Sequence, residues 1–120
     1  MKPTAIEKVW GHTTELFANN TTAMYYLDIL ASGYCSQHRH AQKDNAFYVI
    51  EGELLITSWS NEPISTEHTT RLRAGESCRV ATGTWHRFEA VTATKCIEVY
   101  VYEHQGADIE RRTVGGIKSD

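Results

Sequence analysis

The chain has 120 residues, a net charge of −3 and 41% hydrophobic content, which predicts one domain able to bury a core without staples. Its basic residues are scattered, which argues against a nucleic-acid partner. No run approaches the roughly 18 apolar residues of a membrane helix. Met1-Lys2-Pro3-Thr4 lacks the apolar stretch of a secretory signal, so a cytoplasmic location with no membrane partner is expected.

Residues 1–12 are expected to form an N-terminal arm. Thr13 to Ala18 reads as an edge strand, ended by Asn19-Asn20. Ala23 to Leu30 is an aromatic and aliphatic strand that stops near Ser32-Gly33. Asn45 to Ile50 alternates, with Phe47 and Val49 on one face and Tyr48 and Ile50 on the other. Glu51-Gly52-Glu53 is a turn signal and Leu54 to Trp59 follows, so this pair is expected to be a hairpin. Ser60 to Thr66 is a polar loop containing Pro63. Thr69 to Leu72, Ser77 to Val80, Trp85 to Val91 and Lys95 to Tyr102 supply further strands, with glycine turns at Gly75 and Gly83. Many short strands without helical periodicity predict an all-β sandwich or barrel. The 106–120 tail is expected to hold one helical turn near Asp108–Arg111 and to lose order at Gly115-Gly116. Cys35, Cys78 and Cys96 form no CxxC pair and read as free, structural thiols.

The chemistry concentrates in His38-Arg39-His40 and in His86. Two histidines one residue apart share a face of a strand, and a distant third can complete a set of imidazoles around one divalent ion. Such a set suits Zn, Ni, Mn or Fe and leaves positions for water and substrate. Asn45 offers an amide oxygen without charge, either as a ligand or as a hydrogen-bonded strand residue. Alternation aims Asp44 away from the face of Asn45 and Phe47. Glu98 and Tyr100 share a face of the last long strand. If that face is inward, Glu98 is a buried carboxylate and the candidate catalytic acid–base; if outward, it is a surface residue. Arg87, Tyr100 and Phe47 are the candidate substrate-facing residues. Arg87 and Arg111 each offer a guanidinium that matches a phosphate or carboxylate of the substrate bidentately, and Phe47 supplies core or cavity wall.

The run Gly33, His38, His40, Asn45, Gly52 resembles the first motif of the cupin superfamily, with Asn45 where the motif carries glutamate. Gly75, Gly83 and His86 keep the spacing of the second motif, with Ala81 and Ala90 replacing its proline and asparagine. The resemblance implies a single-domain cupin β-barrel or jelly roll over residues 1–120. A narrower likeness, to the cupin domain of bacterial type II mannose-6-phosphate isomerases, rests on Lys8-Val9-Trp10-Gly11, Gly83 to Arg87, Ile97-Glu98-Val99 and Asp108 to Arg111. It implies a sugar or sugar-phosphate substrate isomerised on one divalent metal ion held by His38, His40, His86 and Asn45. Resemblance to small cupins implies a homodimer contacted through the N-terminal strand and the 23–30 strand. The three-histidine set also resembles that of the thiol dioxygenases, which implies non-haem iron. A non-catalytic ligand-binding cupin is the third reading.

Overall fold

Inward apolar side chains alternating with outward polar ones organise the chain into two facing antiparallel sheets. The computed structural model describes residues 2–60, 66–102 and 109–119. Among these there is no helix, hence none long and apolar enough to cross a membrane.

The first sheet contains β1 (Ala5–Lys8), β2 (Gly11–Ala18), β3 (Thr22–Ile29), β6 (Lys43–Glu51), β9 (Ser77–Val80) and β11 (Thr94–Tyr102), in the order β1-β2-β3-β11-β6-β9. In the second sheet, β10 (Trp85–Ala90) pairs along its length with β7 (Glu53–Trp59), which pairs in turn with β8 (Glu67–Arg73). On its other side β10 meets two short strands, β4 (Gly33–Tyr34) and β5 (His38–Arg39). These are flanked by β13 (Gly116–Ile117) and β12 (Glu110–Arg111). The architecture is the all-β cupin jelly roll, with the two sheets facing each other rather than closed into one.

The core lies between the sheets and includes Leu27, Ile29, Phe47, Val49, Leu54, Ile56 and Phe88. Trp10 packs edge-on against Phe88 with ring centroids 5.0 Å apart. Burying side chains of this size is the main term holding the sheets together, at about 1.5–3 kcal/mol each.

Four expectations change. First, β6 and β7 are not a hairpin, because they belong to different sheets. Gly52 instead carries the chain across at φ 96°, where an added Cβ would lie 2.4 Å from the Ala93 carbonyl oxygen. Second, the edge strand is β1, within the expected arm, and β2 is the next one in. Third, the tail continues as β12 and β13 rather than ending at Gly115-Gly116. The helical turn expected near Asp108 lies partly outside the described residues, and Glu110–Arg111 is extended. Fourth, Ala23, Leu27 and Ile29 of β3 are committed to the core, which leaves only the other face of this strand, with Met24 and Tyr26, for an outside contact.

Candidate metal centre

Strand pairing brings the histidines together. His38 on β5 is the direct cross-strand partner of His86 on β10, and His40 follows one residue beyond the end of β5. All three are buried, and their potential ligand atoms lie within 4.8 Å of one another. Ring centroids are 4.4 Å apart for His38 and His86, 5.0 Å for His38 and His40, and 5.6 Å for His40 and His86.

Backbone carbonyls set two of the tautomers. A carbonyl only accepts, so His38 Nδ1 donates to Ser36 O at 2.7 Å and His86 Nδ1 donates to Thr84 O at 2.9 Å. The Nε2 lone pair of each ring is thereby kept for another partner, the arrangement that orients ligating imidazoles. Burial lowers the pKa of both. For His38 it falls to about 3, with His86 adding to the effect. These rings are neutral at pH 7 and need lose no proton to bind a cation. Bonds of about 2.1 Å need donors roughly 3.4 Å apart, so modest ring movements gather the set.

Asn45 lies beside them on β6, 1% exposed. Its Nδ2 is 3.4 Å from His86 Nε2 and donates to Glu98 Oε2 at 3.1 Å. Its Oδ1 is buried without a hydrogen-bond partner. An orphaned oxygen next to neutral imidazoles fits a cation, because leaving such an atom buried and unsatisfied costs about 1–3 kcal/mol. Asp44 is turned outward, where Arg79 and Thr82 hold it.

Glu98 faces inward. It is 7% exposed and its Oε2 also accepts from the Tyr100 hydroxyl at 2.9 Å. Desolvation raises its pKa above the ordinary carboxylate value, while Asn45 and Tyr100 pull it back. Both hydrogen bonds fall on Oε2, which leaves Oε1 for a ligand. Tyr100, also raised by burial and by Glu98, stacks edge-on against His40 with centroids 5.2 Å apart.

A cavity of about 680 Å³ opens against this cluster, and His38, His40, Glu98 and Tyr100 reach its wall. Two expected substrate contacts lie elsewhere. Phe47 is 1% exposed inside the core, away from the cavity lining. Arg87 alternates with the inward His86 and so points outward, over the Tyr34 ring and 3.7 Å from Glu89. Trp85, on the same outer face, is buried between the guanidinium groups of Arg39 and Arg112. Cys35 reaches the cavity, but burial pushes its thiol up to about 12, so it is no thiolate nucleophile.

Sequence reasoning missed Ser36 and Lys43. Ser36 Oγ accepts from Arg111 Nη1 at 2.8 Å and lies 3.2 Å from His38 Nδ1. Lys43 places its ammonium 4.0 Å over the Tyr100 ring. Their nearness to the motif histidines was a signal; which way they point was not.

The comparisons with known proteins agree with this architecture. No curated protein matches the chain significantly. The chain resembles oxalate decarboxylase from Bacillus subtilis with a TM-score of 0.77 at 13% identity, over 91% of this chain and 30% of that one. It resembles a formate complex of the Lactobacillus farciminis oxalate decarboxylase at 0.73 and 17%, over 87% and 32%. For an oxalate oxidase the values are 0.70 and 21%, over 86% and 55%. At such identities the likeness shows the fold alone, and the chain spans about a third to a half of those proteins. The cupin domain model matches residues 25–102, a span holding all three histidines, Asn45 and Glu98. On that match the chain belongs to the cupin family.

Proposed function

We propose that this cupin holds one divalent metal ion on His38, His40 and His86, and binds a small molecule in the adjoining cavity. The observation that carries the reading is the convergence of three buried imidazoles beside a buried carboxylate. When bound, the ion supplies Lewis acidity toward an oxygen of the ligand. Asn45 would offer its buried Oδ1 to the ion, while its amide holds Glu98. Glu98, raised by burial, accepts or returns a proton at Oε1. Tyr100 orients that carboxylate through Oε2.

One carboxylate beside a polarised oxygen is sufficient for an isomerisation that moves a proton between neighbouring carbons. The sugar-phosphate substrate implied by the short motifs is supported less well. Of its two expected anion partners, Arg87 faces outward and Arg111 lines the cavity, whose walls offer few further groups to pair ring hydroxyls. A three-histidine iron oxygenase is the second reading, favoured by a donor set in which Asn45 replaces the carboxylate. A homodimer is proposed on the outer edge of β1, which pairs with no strand there among the described residues, and on Phe17, Tyr48 and Val101, which are exposed by about half.

Elemental analysis of untagged protein tests the reading. We expect about one ion per chain, lost in His86→Ala. Zinc, nickel or manganese favours the isomerase reading, and iron with oxygen uptake favours the second. Absence of stoichiometric metal overturns both. Loss of turnover with retained metal in Glu98→Gln distinguishes an enzyme from a binding protein.

A further inference from the structure

The cavity gathers polar groups beside the histidines: Glu98 and Tyr100, Lys43 stacked on Tyr100, and the exposed Arg111 bonded to Ser36 next to His38. The remaining wall is mostly apolar, with Trp10, Leu27 and Phe88 inside it and Glu7, Lys8 and Thr13 as its polar members. Ile6, Val9 and Val114 line the mouth from two separate chain segments and are 57%, 65% and 80% exposed. A sugar would leave its ring hydroxyls against apolar walls, where an unpaired hydroxyl is costly. A ligand with one polar head and an apolar body would satisfy both ends and cover the mouth residues.

The charges define the head. Arg111, Lys43 and Lys8 outnumber the acids Glu7 and Glu98 along the cavity, and only Glu98 stands beside the histidines. Arg111 stands opposite His38 in the β12–β5 pairing, so its guanidinium lies beside the imidazole cluster. That end attracts a single anionic group matched by a planar fork of donors. The volume of about 680 Å³ far exceeds what such a group alone would fill.

We propose that the ligand is an apolar-bodied monocarboxylate, its head between Arg111 and the histidine cluster and its body passing between Val9 and Val114. The proposal deepens the metal-site reading and rests on the same cavity. Isothermal titration of acetate, butanoate, hexanoate and octanoate into untagged protein, metal-loaded and chelator-stripped, tests it. We expect affinity to rise by up to about fourfold per added methylene in both forms. Hexan-1-ol and hexyl phosphate should bind at least about tenfold more weakly than hexanoate. Arg111→Gln should weaken hexanoate by about tenfold without flattening the series, whereas Val9→Ser with Val114→Ser should flatten it. A flat wild-type series overturns the proposal, as does tighter binding of hexyl phosphate or mannose 6-phosphate. A rising series in a chain that holds no metal supports the ligand class and sinks the metal reading. Full metal content with a flat series does the reverse.

Discussion

Asn45 on β6 and Glu98 on β11 are joined by a hydrogen bond of 3.1 Å, Nδ2 to Oε2, so a carboxylate stands one strand away from the motif position that lacks it. The negative charge is displaced within the site rather than deleted. Asn45→Glu should therefore place two carboxylates in contact and destabilise the metal-free protein by roughly 1–3 kcal/mol in urea unfolding. Adding Glu98→Gln should relieve the repulsion, and that double variant should hold zinc about tenfold more tightly than wild type in chelator competition. Equal stability of Asn45→Glu and wild type would show that the two groups do not share a site.

Removing a ligand differs from removing its support. His86→Ala and His38→Ala should each lower metal affinity by about 100-fold or more. Ser36→Ala keeps the carbonyl that fixes the His38 tautomer, so it should change affinity by less than about threefold. The same chelator competition measures all three.

The buried imidazoles fix the sign of the acid response. His38 titrates near 3 when folded, well below its ordinary value near 6.5. Below pH 6.5 the unfolded chain takes up a proton there and the folded chain does not, so stability falls as pH falls through that window. His86 acts in the same direction. Glu98 is raised and acts oppositely, favouring the folded state as pH falls toward its ordinary value. Denaturant midpoints of metal-free protein should drop between pH 6.5 and 5, with a slope of at most about 1.4 kcal/mol per pH unit for each imidazole. His38→Gln should flatten that slope.

Two glycines with similar backbones should respond differently. Gly52→Ala meets both a positive φ and the Ala93 carbonyl at 2.4 Å, and should cost about 2 kcal/mol or more. Gly75→Ala shares the positive φ but meets nothing within 4 Å, so its cost should be about half as large. Urea unfolding of the two variants makes the comparison.

The histidine cluster was legible in the sequence because alternation along a strand and spacing around glycine turns both survive in one dimension. The orientation of Glu98 was not. On β11 the aliphatic Ile97, Val99 and Val101 face out while Glu98 and Tyr100 face in, the reverse of the usual pattern. A register shift against β6 between Lys95 and Cys96 adds to the ambiguity. The crossing at Gly52 read as a hairpin because a positive-φ glycine serves either purpose, and only the pairing of β6 and β7 with other strands separates them. Arg87 was excludable beforehand, since it adjoins His86 and must face the opposite side.

β5 is two residues long, yet it carries His38 and leads directly into His40. An ion gripping residues 38, 40 and 86 would fasten this short segment to β10 more firmly than its few backbone bonds do. A ligand that binds only the folded chain adds about 2.7 kcal/mol at a hundredfold excess over its Kd, which cuts the unfolded fraction about a hundredfold. Proteases act on that fraction. The amount of this protein that persists in a cell would then follow the supply of its ion, making abundance itself a gauge of metal nutrition whatever reaction the cavity performs.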